Sequence, residues 1–483
     1  MTSNLCRNAT MALAVAWLAA CSTPQPKTAA PAPIAKPTRT CDVSRYGAVG
    51  DGLAKDTAAL QRAIDDCATG DGGTVVLAHG TFLSGTIRLR SHITLRIEAG
   101  ATLLGSRDDA DYPLLPPDND NKESASCRHA LVYGENVEGV RIEGGGTIDG
   151  NADIDKWRSM ARPEGERPMA IFTSWSMSVD ISGITVRNAA TWAVVNMDVE
   201  FLHIHGITVD SPLGPTHDGI DVVDGRFVTI EDNTINSGDD AICLKSGSRR
   251  GLSDVSVRHN HILGAGVANG LKLGTATVGP MTRIVFEDIL IEHVQAAAMA
   301  VESVDGGEVS DVSFERIRMR DVGTPVYVML GARGHAAVGA IHDIRFARLR
   351  ASEMRYPWGA LVSGAPADAA GRHDLERISF ADVAIAWRSA ADAQGPHVFA
   401  STPADAARFP TYAGGYPDAK FLFATPTAKS EVIDYALPAY AFFVRDARGV
   451  SFQDCRLAVE GVEHRDAIVR KDAAISGGCT LGR

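Results

Sequence analysis

Short triplets with an apolar residue on either side of a variable one recur through most of this chain. From the second triplet on, successive triplets lie about 23 to 34 residues apart, with a larger gap before the last. Most lead through a polar or acidic step into another short apolar stretch, which is typical of several short strands per repeat. The triplets are Val140-Arg141-Ile142, Val179-Asp180-Ile181, Leu202-His203-Ile204, Val228-Thr229-Ile230, Val255-Ser256-Val257, Ile284-Val285-Phe286, Val312-Ser313-Phe314, Ile344-Arg345-Phe346, Ile378-Ser379-Phe380 and Val450-Ser451-Phe452.

A repeat of this size cannot bury its apolar side chains alone, so each must stack on its neighbours. We therefore predict an all-β fold, a right-handed parallel β-helix, over residues 41–483. A TIM barrel would need regular amphipathic helices between its strands, and the sequence lacks that pattern. One helix is predicted in AKDTAALQRAIDDCA, with Asp56 as N-cap and Leu60, Ile64 and Cys67 at helical spacing. Its expected role is to cap the N-terminal end of the solenoid.

The N-terminus resembles a bacterial export signal. Residues 1–20 contain a short apolar run, too brief to span a bilayer, and lead into Leu18-Ala19-Ala20-Cys21-Ser22. This resembles a lipobox, so we expect a membrane-anchored lipoprotein with lipid on Cys21, facing the periplasm or the cell surface. The alternative is an ordinary secretory peptide with a chance cysteine. Residues 21–40 are rich in proline and alanine and predict an extended tether.

Export permits disulfide bonds between the remaining cysteines. Their proximity predicts two pairs, Cys41 with Cys67 and Cys455 with Cys479. Cys243 lies on an apolar strand and is expected to be a core thiol. No cysteine or histidine cluster has the spacing of a metal site, so neither a metal nor another cofactor is expected.

The net charge of −12 argues against nucleic acid as a partner, because phosphate binding requires basic surfaces. An acidic chain can still bind an anionic substrate through a few lysines or arginines in a groove. We expect the protein to be a monomer.

Three aspartates carry the chemistry that the sequence predicts. Asp218 precedes the adjacent pair Asp239 and Asp240 by about one repeat, so stacked strands would bring them to within about 4.8 Å in the stacking direction. Carboxylates so close cannot all ionise freely, and one proton is retained near neutrality. Such a set can donate a proton and activate a water, as the hydrolysis of a glycosidic bond requires.

Five segments together resemble glycoside hydrolase family 28, the polygalacturonase family. They are YGAVGDGLAKDTAALQRAIDDCA, GGTVVLAHGTFLSGTIRLRSHITLRIEAGATLLGS, GGGTIDG, THDGID and SGDDAICLKSG. The resemblance implies hydrolysis with inversion on a β-helix, with Asp239 as proton donor and with Asp218 and Asp240 positioning the water. Asp221 would have a supporting role at best.

Two motifs depart from that family. Where polygalacturonases carry Gly-His-Gly, this chain reads ANGLKLGT, with Asn269 at the histidine's place and Lys272 soon after. Where they carry Arg-Ile-Lys, it has Ala300 and Glu302 at the two basic positions. Because Glu302 would repel a uronate, we expect a pectic or related hydrolase that is not selective for plain polygalacturonate.

Further residues are candidates for substrate binding. Lys245 matches a lysine of the family, and its alternative role is a salt bridge to Asp239 or Asp240. Lys272 and Arg333 are candidates for a new clamp that binds a substrate carboxylate, and the alternative is that they are surface charges. Glu302 is expected either to pair with one of these bases or to form hydrogen bonds with sugar hydroxyls. His217 is expected to tune the neighbouring acid or to point at the substrate, and the alternative is a solvent-facing side chain. The aromatic candidates for stacking on sugar rings or packing between rungs are Trp157, Trp175 and Trp192.

Two other classes of protein stay open at this stage. A β-helix polysaccharide lyase needs a basic residue to abstract a proton and often calcium, which the acidic trio fits less well than hydrolysis. A non-catalytic carbohydrate-binding solenoid has no need for three clustered acids. A long insertion, FASTPADAARFPTYAGGYPDAKFLFA, is a candidate to close one end of the groove and so to favour exo action.

Overall fold

A computed structural model describes residues 39–482, apart from 117, 119, 153–162, 215, 267, 334–335, 356–358, 369, 390–436 and 438. The predicted signal, most of the tether, Trp157 and the long insertion lie outside these residues. The described chain forms three parallel ladders of stacked strands that together make a parallel β-helix. The predicted fold class is therefore confirmed.

The first ladder contains every one of the ten apolar triplets, and we call it the triplet ladder. Neighbouring triplets pair residue for residue, as Val179 does with Val140 on one side and Leu202 on the other. Its strands are Thr40–Asp42, Gly73–Leu77, Ile93–Ile97, Glu138–Gly144, Met177–Ser182, Glu200–His205, Gly225–Glu231, Leu252–Arg258, Met281–Glu287, Glu308–Glu315, Ala340–Ser352, Leu375–Arg388, Ala439–Glu460 and Asp466–Gly482.

The second ladder is built of shorter strands and joins the triplet ladder at Ala340–Ser352. Its strands are Asp51–Lys55, Gly80–Ser84, Ala101–Gly105, Thr147–Asp149, Thr185–Arg187, Thr208–Ser211, Thr234–Ser237, His261–Ala265, Leu290–Glu292 and Arg318–Arg320.

The predicted acids come just before strands of the third ladder, which we call the site ladder. Its last strand pairs with the beginning of Ala439–Glu460. Its strands are Ile87–Arg88, Ala130–Glu135, Met169–Ser174, Val194–Met197, Ile220–Val223, Ile242–Ser246, Leu271–Thr277, Ala297–Ser303, Thr324–Leu330 and Ala360–Ser363.

The core lies inside the three ladders, where the apolar ends of the triplets stack on one another. The phenylalanines of the later triplets form a continuous column, with ring centroids 4.6 Å apart between Phe286 and Phe314 and 5.0 Å apart between Phe380 and Phe452. Offset stacking of this kind adds about 0.5–1.5 kcal/mol per pair beyond the burial of apolar area. Stacking therefore supplies the core that no single rung could provide.

The predicted helix spans Thr57–Cys67 and buries Leu60, Ile64 and Cys67, as its spacing indicates. Asp56 stands at the N-cap position, but its carboxylate makes no bond to the helix. It accepts instead from the backbone N–H groups of Val49 and Gly50, at 2.6 and 3.0 Å. The predicted N-cap position of Asp56 is thus confirmed, although its carboxylate binds the preceding loop and not the helix. The helix's role as a cap of the solenoid stays a prediction.

A few smaller elements complete the described chain. Ala365–Asp368 and Gly371–His373 form an antiparallel hairpin. Turns of 3₁₀ helix cover Val43–Tyr46, Asp109–Asp111, Lys122–Ala125 and Glu164–Glu166. Both predicted disulfides, Cys41–Cys67 and Cys455–Cys479, are present. Within the described ranges, no helix has the length and apolar character needed to cross a bilayer.

Candidate active site

Asp218 and Asp240 occupy equivalent positions on consecutive rungs of the site ladder. Ile220 pairs with Ile242, two residues after each aspartate, and the N–H of Gly219 donates to the carbonyl oxygen of Asp240 at 2.9 Å. The next rung places Asn269 in the same column, because Ile242 pairs with Leu271. The spacing in the sequence therefore predicts correctly that these acids stack at one rung's distance.

Asp239 lies beside this column and is held by backbone groups. The N–H of Thr216 donates to Asp239 Oδ2 at 2.8 Å, and the N–H of Asp240 donates to its Oδ1 at 3.1 Å. The carbonyl oxygen of His217 accepts from the N–H of Asp239 at 3.2 Å. These backbone bonds fix Asp239 next to the other two acids. All three predicted catalytic aspartates are buried.

Lys245 is the cation at the centre of the acid cluster. Its Nζ lies 3.2 Å from Asp218 Oδ2, contacts Asp221 Oδ1, and sits 3.5 Å from the centroid of the Trp192 ring. The alternative that paired Lys245 with Asp239 or Asp240 therefore names the wrong acids. Strand geometry explains the contact with Asp221, since Lys245 lies two residues after Cys243, the ladder partner of Asp221, and side chains two residues apart in a strand share a face.

Burial and mutual repulsion put the retained proton on the Asp218–Asp221 pair. Burial raises the pKa of Asp221 to about 6, even though Lys245 lowers it. Burial, followed by the charge of Asp221, raises the pKa of Asp218 well above its usual range. Burial alone would lower the pKa of Lys245, but the carboxylates of Asp221 and Asp218 raise it well above its usual value. Lys245 thus stays charged while the acids share a proton.

Asp240 is bound on its other side by Asn269, which stands at the place of the family's histidine, and by Lys272. The side-chain amide of Asn269 donates to Asp240 Oδ1 at 2.8 Å, and the backbone N–H of Asn269 donates to the same oxygen at 3.0 Å. Lys272 Nζ lies 3.1 Å from Asp240 Oδ2 and 3.9 Å from Glu302 Oε2. The three side chains are buried, so Asn269 and Lys272 favour the ionised form of Asp240.

Among the contacts of the described residues, Arg333 binds an acid outside this cluster. Its guanidinium binds Asp305, with Nη2 2.6 Å from Oδ2, and Lys122 binds the same carboxylate. A joint clamp of Lys272 and Arg333 is therefore not preformed, because each cation already has its own internal carboxylate. Glu302 pairs with Lys272, which confirms one of the two alternatives that the sequence predicts for Glu302.

His217 is fully buried, so the solvent-facing alternative is wrong. Its Nδ1 lies 3.1 Å from the carbonyl oxygen of Gly214, in the turn that leads to Asp218.

Trp175 is partly exposed, and the guanidinium of Arg250 lies over its ring, 4.3 Å from the ring centroid. Trp192 is buried against Lys245, which favours packing and a cation–π contact over stacking on a sugar.

One set of atoms in this cluster also has the proximity of metal ligands. Oxygens of Asp218 and Asp240 and the sulfur of Cys243 lie within 4.8 Å of one another. Burial raises the pKa of the Cys243 thiol well above its usual value, so the thiol stays protonated and is a poor ligand. The expectation that the site uses no metal stays a prediction.

The sequence understated two residues of this cluster, Asp221 and Trp192, which together enclose Lys245. A signal for Asp221 exists in the register of the site ladder. Val195, Asp221, Cys243, Lys272 and Ala300 form one row of paired positions on adjacent strands. A row that contains an acid and a lysine two rungs apart points to a charged patch on that face.

The arrangement combines acids in different environments. Two backbone N–H groups donate to Asp239, whereas Asp218 and Asp240 each lie against a lysine and within 4.8 Å of each other. Two lysine-bound carboxylates at this separation can hold one water between them, and a third acid nearby can supply a proton. The chemistry that fits this arrangement is the hydrolysis of a bond whose leaving group must be protonated.

The fold is a parallel β-helix, and one of its ladders carries a buried cluster of carboxyl groups. The model of the glycosyl hydrolases family 28 matches residues 67–331, more than half of the chain. The protein belongs to this family.

Its relatives include polygalacturonases. A probable polygalacturonase of Vitis vinifera is 33% identical over 213 residues, covering 42% of this chain and 43% of the relative. A polygalacturonase of Ralstonia solanacearum is 27% identical over 335 residues, covering 56% and 61%. The chain thus spans about half of the length of these curated relatives. The solved exopolygalacturonase of Thermotoga maritima shares the fold, with a TM-score of 0.63, 21% identity and coverage of 73% of this chain and 88% of that one.

Proposed function

We propose that this protein is an active, inverting glycoside hydrolase that cleaves O-glycosidic bonds in a pectic or related acidic polysaccharide or oligosaccharide. The observation that carries the proposal is the stacking of Asp218 on Asp240, with Asp239 held beside them. Membership of family 28 and the polygalacturonase relatives support the same reaction class.

Each acid has a role in the proposed reaction. Asp239 donates a proton to the leaving oxygen of the glycosidic bond. Asp218 and Asp240 orient and deprotonate the water that attacks the anomeric carbon from the opposite face. Lys272, 3.1 Å from Asp240, favours negative charge on that acid, so Asp240 is ready to accept the proton of the water. Lys245, 3.2 Å from Asp218, opposes the rise in the pKa of Asp218 that burial and Asp221 cause.

Hydrolysis by this set is expected to invert the anomeric configuration of the product. A water must fit between base and sugar, which places donor and base carboxyls roughly 6.5–9.5 Å apart in inverting enzymes. Proton NMR of the released sugar during the first minutes of reaction, before mutarotation, distinguishes the anomers.

The same reaction mixture separates the alternatives. Retention of configuration would contradict the roles assigned to Asp218 and Asp240. An unsaturated product, visible by its ultraviolet absorbance, would identify a lyase. Binding without any new reducing ends on a broad panel of acidic polysaccharides would identify a carbohydrate-binding solenoid.

We also propose that the protein does not select plain polygalacturonate. Glu302 stands where polygalacturonases carry a basic residue, and its negative charge disfavours a uronate carboxylate in that subsite. The cations nearest to it in the sequence motifs are already engaged, Lys272 with Asp240 at 3.1 Å and Arg333 with Asp305 at 2.6 Å. A neutral or decorated sugar, such as rhamnose, suits the subsite better.

The expected result is a low kcat/KM on unmodified polygalacturonate and a higher one on polymers that alternate galacturonate with neutral sugars or carry side chains. Glu302→Gln should raise kcat/KM on polygalacturonate by roughly 5-fold, because removing one repulsive charge is worth about 1 kcal/mol. Glu308→Gln, at an exposed position beside His342, is the matched control and should change nothing. Efficient cleavage of unmodified polygalacturonate by the unaltered protein would overturn this proposal.

Export and lipidation remain part of the proposed function. We propose that residues 1–20 direct secretion and that Cys21 carries the lipid that anchors the enzyme at a bacterial membrane. The observation behind it is the Leu18-Ala19-Ala20-Cys21-Ser22 sequence. Metabolic labelling with a radioactive fatty acid tests it, since Cys21→Ser must abolish the label.

A further inference from the structure

Three titratable side chains meet on the outer face of the triplet ladder. Asp180 lies on the strand Met177–Ser182 and pairs in register with His203 on the next strand, Glu200–His205. His205 follows two residues later on the same strand, and because side chains alternate in a strand, both histidines face the same side. All three side chains are partly exposed, at 23%, 39% and 37% of their surface for Asp180, His203 and His205.

The distances within this cluster suit a single small cation. Asp180 Oδ2 lies 3.6 Å from His203 Nδ1 and 3.3 Å from His205 Nε2, and one ligand atom from each residue falls within 4.8 Å of the others. A tetrahedral zinc ion bound at about 2.0–2.1 Å separates its ligands by about 3.3 Å. The cluster therefore has nearly the required spacing before any metal binds.

A fourth residue orients one of the histidines. His203 Nε2, the ring nitrogen that points away from Asp180, lies 2.8 Å from Glu231 Oε1. Arg258 fixes that carboxylate from the other side, with Nε 2.6 Å from Glu231 Oε2. Histidines that ligate metals usually donate their second ring N–H to a carboxylate held in this way. Glu231 thus fixes the tautomer that leaves His203 Nδ1 available as a ligand.

We propose that Asp180, His203 and His205 bind one divalent transition-metal ion of the zinc type, with water in the fourth position. Two imidazoles and one carboxylate are a ligand set that suits Zn²⁺ and disfavours Ca²⁺ and Mg²⁺, which prefer oxygen ligands throughout. The ion joins two consecutive rungs of the triplet ladder. The proposed catalytic acids lie on the site ladder, so this metal site is independent of the hydrolysis.

Titration of the full chain with Zn²⁺ tests the proposal, after removal of any affinity tag and treatment with a chelator. Isothermal titration calorimetry should show one saturable site, and the melting temperature should rise with Zn²⁺ concentration. His205→Gln should weaken this binding by at least about 100-fold, and Glu231→Gln by about 10–100-fold. The matched control is His293→Gln, which removes an exposed histidine whose Nδ1 lies 2.8 Å from Asp321.

Replacement of Zn²⁺ by Co²⁺ gives a second readout, because tetrahedral Co²⁺ absorbs strongly in the visible range and the band must vanish in His205→Gln. The proposal is overturned if no saturable binding occurs, if His205→Gln binds as the unaltered protein does, or if His293→Gln weakens binding equally. Loss of the site in Asp240→Asn with retention in His205→Gln would place the ion in the acid cluster instead and would equally refute it.

Discussion

Replacing Asp239 by asparagine is expected to lower kcat by about 10²–10⁴-fold while leaving the fold intact. The amide cannot donate a proton to the leaving oxygen, and general acid catalysis contributes this much to the rate. Asparagine is nearly isosteric and keeps an oxygen for one of the two backbone donors, Thr216 N–H or Asp240 N–H. The measurement is kcat by reducing-end release, with thermal unfolding as the check on folding.

Asp65→Asn is the matched control, because Asp65 lies on the helix Thr57–Cys67 and pairs with Arg90 at the surface. It should leave kcat unchanged. Asp218→Asn and Asp240→Asn should be about as damaging as Asp239→Asn, since each removes a base for the attacking water. An Asp239→Asn enzyme with near-normal turnover on its true substrate would refute the assignment of the proton donor.

The second large effect is expected for Lys245→Met. This change removes the buried cation that contacts Asp218, Asp221 and the Trp192 ring, and leaves two carboxylates without it. Breaking a buried ion pair from one side costs about 3–5 kcal/mol in the free energy of unfolding. Urea unfolding at pH 8 measures the loss. Lys55→Met, which cuts partly exposed pairs to Asp108 and Asp111, should cost less than about 1 kcal/mol.

The pH dependence of this penalty has a definite sign. The folded pKa of Asp221, about 6, already lies above the value near 3.9 of an unfolded aspartate, and removing Lys245 raises it further. The folded state then holds more protons than the unfolded state above about pH 4, so its stability falls as the pH rises. The variant should approach the stability of the unaltered protein near pH 4 and lose most at pH 8. A penalty independent of pH would contradict the role of Lys245 as counter-ion.

The pH dependence of kcat/KM provides a further check on the Lys245→Met variant. Asp218 must be ionised to accept a proton from water, and burial together with Asp221 raises its pKa well above the usual range. Lys245 opposes that rise, so Lys245→Met should shift the acidic limb of kcat/KM to higher pH. A purely structural lysine would change stability without moving this limb.

Much of the fold could be predicted because each triplet indicates a strand and the recurrence of the triplets indicates how the strands stack. Val179-Asp180-Ile181 has its apolar residues two apart, which sets the buried face, and its recurrence sets the register. The rung spacing of Asp218 and Asp240 follows from the same repeat. The helix Thr57–Cys67 was predictable from spacing alone, whereas the partners of Asp56 were not, since Val49 and Gly50 approach it only after the loop folds.

The partners of charged side chains were the hardest feature to predict. Lys245 lies nearer in sequence to Asp239 and Asp240, but its strand directs it toward Asp218 and Asp221. Arg333 pairs with Asp305 and not with Glu302, although both acids belong to the same segment. His203 and His205 are two residues apart, which is the period of a strand and puts both side chains on one face. The spacing of known helical or cysteine-rich metal motifs does not include this pattern.

The two disulfides lie at opposite ends of the described solenoid, one between the first strand and the helix and the other between the last two strands of the triplet ladder. A stack in which each rung contacts only its neighbours behaves as a one-dimensional chain, and such a chain frays from its ends. Closing loops of 26 and 24 residues restricts the unfolded ensemble by about 3.5 kcal/mol each in the chain-entropy model. Oxidation therefore joins the first strand to the helix and the last two strands to each other, so that either end of the oxidised protein can fray only by releasing a cross-linked unit as a whole.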